Sequence, residues 1–275
     1  MKRVIILLLI ILNSCTNMSN NKRERFPYKE YFDKDEIQIA EFIYYGEVGR
    51  LNDAIIRGAN INHVGKEGFT YLMYAVLIEQ YDVVECLLKN GADPNLISPL
   101  MKTKRNNINL REKKDWRPVE MLPLEVCSGS SNYSIKYMKL LLKYGANIND
   151  DRTKTPIDEA VLLQDMEKLK FLIANGANIN LVYGKNTPIM TAVVIMSWDI
   201  VDYLLDCGAD VFYVAEDGYS VGLLLQEYSD RDAWNRYGRK RIEGLIERLK
   251  QKGVKFPATK LPPTPVSKSE STEEL

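Results

Sequence analysis

The chain has 275 residues, enough for one large domain or two small ones, and its 45% apolar and 27% charged residues are the proportions of a globular protein. Thirty-seven basic residues offset thirty-seven acidic ones, so no general attraction to nucleic acid or to an anionic membrane is expected. A single histidine, His63, excludes every catalytic or metal site that needs two, and four cysteines are too few for a disulfide-built scaffold.

Residues 1–15 read MKRVIILLLIILNSC. Lys2 and Arg3 precede an unbroken Val, Ile and Leu run from Val4 to Leu12. As a helix that run rises about 14 Å, roughly half the hydrocarbon core, so it has the form of an export signal rather than a membrane span. Leu12-Asn13-Ser14-Cys15 resembles the lipobox of bacterial lipoproteins, with Cys15 as the lipidated residue. That resemblance implies three acyl chains on Cys15. Because Thr16 is not the Asp of inner-membrane retention, it also implies the periplasmic face of the outer membrane. At about 0.8 kcal/mol per buried methylene such an anchor is effectively permanent. Translation from Met18 would give a minor cytosolic form without the signal. Residues 16–34 are polar and read as a flexible tether.

Beyond the tether the chain repeats itself. Gly-Ala-(Asn/Asp) recurs at Gly58, Gly91, Gly145, Gly176 and Gly208, close to 33 residues apart except for one longer step. Each Gly ends an apolar-periodic helix, such as the one carrying Val83, Val84, Leu87 and Leu88, in the manner of a left-handed C-terminal glycine. Upstream lies a shorter helix opened by Thr70, Thr155 or Thr187, with a small residue five positions on at Ala75, Ala160 or Ala192. These residues resemble ankyrin repeats, most fully over Gly65–Asn95. The resemblance implies an all-α ankyrin-repeat solenoid of stacked helix pairs and hairpin loops, over residues 35–253, with five to six repeats ending in a degenerate cap. The usual His of the family motif is Met73 here. Residues 96–116 form a basic insertion, with Lys102, Lys104, Arg105, Arg111, Lys113 and Lys114 against Glu112 and Asp115. It is either a solvated loop or a finger reaching an acidic partner surface or lipid phosphates. Residues 254–275, rich in Pro, Ser, Lys and Glu, are expected to be disordered.

No catalytic constellation, phosphate loop or metal-ligand spacing occurs, so no enzyme, cofactor or metal is expected. Asp158-Glu159 is read as a solvated pair. One disulfide among Cys86, Cys127 and Cys207 is possible in an oxidising compartment. In ankyrin repeats the inner helices and finger tips line the binding face. The residues falling there are Leu77 and Ile78, Leu162 and Leu163, Val194 and Ile195, with Lys66, Glu67, Phe69, Tyr183, Asn186 and Tyr219 on the fingers. Either the apolar pairs line a groove, or irregular spacing turns them into the repeat interior. A signal, a lipid anchor and ankyrin repeats together resemble the immunity lipoproteins of type VI secretion lipase effectors. The implied partner is a phospholipase whose mouth the groove occludes, met in the periplasm by a protein that is monomeric when free. The alternative partner is an envelope enzyme, for example of oxidative defence, that the repeats support as a scaffold.

Overall fold

The computed structural model describes residues 26–34, 36–66, 68–100, 119–130, 133–230 and 236–265. Cys15 and the signal lie outside the described residues, as do Glu67 and the body of the basic insertion. The chain divides into two compact units at Glu159/Ala160. The first contains α1 (Tyr28–Tyr31), α2 (Ile37–Tyr45), α3 (Val48–Ile56), α4 (Tyr71–Leu77), α5 (Tyr81–Lys89), a two-stranded ribbon of β1 (Ser98–Leu100) and β2 (Val119–Met121), α6 (Pro123–Ser128) and α7 (Ile135–Lys143). The helix α8 (Pro156–Leu162) crosses the division. The second unit continues with α9 (Met166–Ala174), α10 (Pro188–Val194), α11 (Trp198–Asp206), α12 (Val221–Ser229) and α13 (Arg236–Gln251).

Side-chain chemistry explains many of the helix starts and stops, although Thr187, expected to cap α10, makes no such hydrogen bond. Thr70 Oγ1 accepts the Met73 amide at 3.0 Å, Thr155 Oγ1 that of Asp158 at 3.2 Å, and Ser220 Oγ that of Leu223 at 3.3 Å. Each hydroxyl satisfies an amide that the first helical turn leaves without a carbonyl. The longer helices end on Gly58, Gly91, Gly145, Gly176 and Gly208, whose φ values of 86° to 95° suit a residue without Cβ. The following Ala donates back across the last turn, as Ala92 does to Leu87 at 2.9 Å. The Asn or Asp after that Ala then accepts the amide two residues on: Asn60 from Asn62, Asp93 from Asn95, Asn147 from Asn149, Asn178 from Asn180 and Asp210 from Phe212. The Gly-Ala-(Asn/Asp) string is therefore a helix stop followed by an Asx turn.

Inner helices pack on inner and outer on outer. In the first unit α2, α4 and α6 form one row and α3, α5 and α7 the other, while α10 lies against α12 in the second. Ala75, Ala160 and Ala192 are wholly buried, and so are Leu87, Leu141, Leu172 and Leu204 on the outer helices. Loss of one such Leu to Ala costs about 2–5 kcal/mol. Polar side chains fix the register of successive loops. Asn62 accepts the Asp93 amide at 2.8 Å and donates to the Gly91 carbonyl. Asn95 repeats this on Asn147 and Gly145, and Asn180 accepts from Asp210.

Three parts differ from the sequence reading. Residues 26–34, assigned to a tether, pack as part of the domain. Tyr28, Tyr31 and Phe32 are buried, the Phe69 ring lies 4.7 Å from Tyr31, and Tyr74 donates to the Phe26 carbonyl at 2.6 Å. The tail is likewise not free up to residue 265, because Thr264 and Leu261 bond the finger 214–220. The insertion leaves and rejoins through β1 and β2, Ser98 pairing with Met121 and Leu100 with Val119. The β1–β2 ribbon occupies the same place in its repeat as the Val64–Thr70 and Val214–Ser220 bridges do in theirs.

Candidate functional site

In the first unit the expected apolar stripe does not face water. Leu77 is 6% and Ile78 4% exposed. The end of α4 is covered from the next repeat, whose Tyr133 hydroxyl donates to the Leu77 carbonyl at 3.3 Å. Phe69 is also buried, beneath Tyr31, rather than standing at a finger tip. Lys66 is exposed but pairs with Asp33 at 3.3 Å.

The second unit keeps apolar side chains at its surface. Leu162 and Leu163 are half-buried at the end of α8, Ile195 is half-buried, and Val194 is 43% exposed. Met196, which the sequence reading passed over, is 46% exposed beside them. Gln164 and Met196 hold left-handed turns, with φ of 56° and 58°. Ser197 Oγ donates to Gln164 Oε1 at 3.3 Å, so the two turns and their apolar flanks are neighbours. Behind them Tyr228 donates to the Val194 carbonyl at 3.1 Å, and Trp198 sits edge-on to Tyr228. These contacts hold the α10 turn in place while its side chains stay in water. Met196 had a sequence signal: it stands where Gly46 makes the same turn in the first repeat.

Three finger residues are half-buried. Tyr183 and Asn186 exchange both backbone hydrogen bonds, at 3.1 and 3.3 Å. Tyr219 lies under Lys260 Nζ, 4.7 Å from its ring centre, and its hydroxyl is raised in pKa chiefly by its bond to Glu227. Lys185 and Asp217 join the two fingers as an ion pair that lowers the Asp217 pKa. A separate cleft of about 360 Å³ lies along α11 and α13. Of its lining cations, Arg241 pairs with Asp199 and Asp202, and Arg248 with Asp202 and Asp206.

Carboxylates inside the first unit correct another expectation. Asp158 and Glu159 are 5% and 1% exposed, not solvated. Glu159 pairs with Lys154 at 2.8 Å, and burial raises its pKa. Glu125, 5% exposed, accepts the Leu122 amide at 3.2 Å. Burial, then the Glu159 charge, push its pKa up to about 8. Gly129 makes room for this group, since a Cβ there would come 2.5 Å from Glu159 Oε2. No disulfide joins Cys86, Cys127 and Cys207. Among the described residues no group of three His, Cys, Asp or Glu side chains is placed to hold a metal ion.

Residues 124–215 match the family model for three ankyrin repeats and residues 67–99 that for a single ankyrin repeat. The chain therefore carries ankyrin repeats, and its fold is all-α. A putative ankyrin repeat protein of Fowlpox virus (strain NVSL), FPV222, is 30% identical over 156 residues, 56% of this chain and 18% of that protein. Ankyrin repeat family A protein 2 of Homo sapiens is 41% identical over 63 residues, 23% of this chain and 20% of that protein. The chain thus spans about a fifth of the curated relatives it matches. The human ASB11 ankyrin repeat domain shares the fold, with a TM-score of 0.51 at 23% identity, covering 81% of this chain and 86% of that one. Ankyrin repeats indicate a protein–protein interaction module, and the exposed apolar turns of the second unit are its candidate contact surface.

Proposed function

We propose that the chain is a membrane-anchored immunity protein that binds a type VI secretion phospholipase in the periplasm and covers its mouth. The observation that carries the binding half is the cluster at the α8 and α10 turns, where Val194 and Met196 keep nearly half of their surface in water beside Leu162, Leu163 and Ile195. Completing the burial of a half-exposed large apolar side chain is worth about 1 kcal/mol, which a partner with an apolar mouth recovers. Tyr183 and Tyr219 on adjacent fingers supply aromatic anchors of the kind that dominate interface energies. The anchoring half rests on Leu12–Cys15, which puts lipid on Cys15 and the domain at the outer membrane, with a minor cytosolic form starting at Met18. Cys15, the fingers and the turns then have one purpose, to hold an inhibitor where a lipase attacks.

The test is capture. The lipid-free chain, tagged at its C-terminus, is incubated with lysate of the source bacterium expressing its secretion genes. The expected result is stoichiometric recovery of a lipase whose activity falls as the chain is added. Val194→Asp should weaken that inhibition at least tenfold with the fold intact. Leu77→Asp, in contrast, should unfold the first unit, because Leu77 is buried. Recovery of an envelope enzyme with unchanged or enhanced activity would replace immunity with a scaffold role.

A further inference from the structure

Residues 254–265 lie across the last repeat without helix or strand of their own, bending at Phe256 and Pro257. Thr264 donates its amide to the Val214 carbonyl and accepts the Val214 amide on its hydroxyl, both at 2.9 Å. Leu261 donates to the Gly218 carbonyl at 3.3 Å, and Ala258 to Gln226 Oε1 at 3.3 Å. Val254, Phe256 and Ala258, alternate residues, are half-buried over Gly222, while the residues between them are exposed. With the bends at Phe256 and Pro257, these three side chains are set against the helix by an irregular path and not by a strand pleat. Gly222 stands where other repeats carry the buried Leu72, Ile157 and Ile189. A Cβ at Gly222 would come 2.9 Å from Val254 Cγ1. The last repeat therefore lacks a core side chain at the slot where the tail segment 254–258 packs.

We propose that the outer edge of the finger 214–220 and the Gly222 face of α12 form a binding site for an extended peptide strand. Residues 254–265 are its resident occupant, and a protein partner engages this repeat by supplying a strand in their place. The exchange rests on the reading of Tyr219 as a partner contact. Two features set the ligand's chemistry. The slot takes apolar side chains at alternate positions, and the Tyr219 face takes a cation, as it takes Lys260 at 4.7 Å. Two features favour exchange over a fixed cap. The strap is held by few hydrogen bonds and stays exposed at residues 259–265. When it leaves, the Val214 amide and carbonyl and the Gly218 carbonyl form an unpaired edge, which a second strand satisfies by the same bonds.

The experiment uses the full chain and a fluorescent synthetic peptide of residues 254–265. Phe256→Asp with Thr264→Pro weakens the strap and leaves the slot unchanged. Gly222→Ile fills the slot with the residue type of the other repeats. Trypsin should cut after Lys260 at least tenfold faster in both variants than in the parent. The peptide should bind the strap variant saturably and at least tenfold more tightly than the parent, and should not bind Gly222→Ile. A strap variant that binds no peptide, or that loses cooperative unfolding, would make residues 254–265 an integral part of the last repeat and overturn the proposal. Equal trypsin rates in all three chains would overturn it too. None of these readouts depends on whether the captured partner is a lipase.

Discussion

Single residues carry strain and charge that can be measured. Met196 adopts φ 58° in the turn after α10, a left-handed conformation that an L residue other than Gly holds at a cost of about 1 kcal/mol. Met196→Gly should therefore raise the unfolding free energy by about 1 kcal/mol, read from the urea midpoint at constant m. A lower midpoint would mean that the Met196 side chain contributes more than its backbone costs. Glu125 gives a pH signature. An acid whose folded pKa is raised binds its proton more readily in the folded chain. Its contribution is then complete below its ordinary 4.5 and is lost as the pH climbs towards 8. Between those limits the loss approaches about 1.4 kcal/mol per pH unit, and Glu159, raised by the same burial, acts in the same direction. Glu125→Gln keeps an acceptor for the Leu122 amide and removes the proton. Its stability should fall less steeply than the parent's between pH 6 and 8, and an unchanged slope would remove Glu125 as the cause.

At the scale of elements, several helix starts and the glycine stops could be read from the sequence because they depend on local residue chemistry. A hydroxyl at Thr70 or Ser220 opens a helix, and Gly91 or Gly208 closes one. What sequence reading missed depends on partners far along the chain. The four residues of α1 are too few to show periodicity, and their ring partners Phe69, Tyr71 and Tyr74 lie some forty residues on. The same holds for Leu77, which is covered by Tyr133 from the next repeat. The absence of a side chain at Gly222 was a visible sign of the tail strap, since every comparable helix has Leu or Ile there. Gly65 is the matching sign for α1. A Cβ at Gly65 would lie 2.7 Å from both the Phe32 ring and the Tyr31 carbonyl, and that carbonyl cannot swing aside. Gly65→Ala should destabilise the first unit by about 1–3 kcal/mol. It should also speed tryptic cleavage at Lys29 and Lys34, while wild-type cleavage rates would show that α1 tolerates the crowding.

Over the whole molecule, the repeat fold was legible because one pattern recurs five times, whereas the contact surface was legible only in part. The six apolar positions looked equivalent in sequence, and burial separates them, hiding Leu77 and Ile78 and leaving Val194 in water. The docking of α1 has a further consequence if Cys15 carries lipid. The leash then ends at Phe26, not at residue 34. Eleven residue steps of fully extended chain span at most about 40 Å. Lipid at one end and the Phe26–Tyr74 bond at the other would keep the first repeat within that height of the bilayer. The domain would patrol a thin layer over the lipid surface, and a target working there would meet it at far higher local concentration than one in the bulk compartment. Lengthening residues 16–25 with a Gly-Ser segment should lower protection of the cell against a membrane-bound target and leave affinity in solution unchanged. Equal protection at every length would show that height above the membrane has no part in how this protein meets its partner.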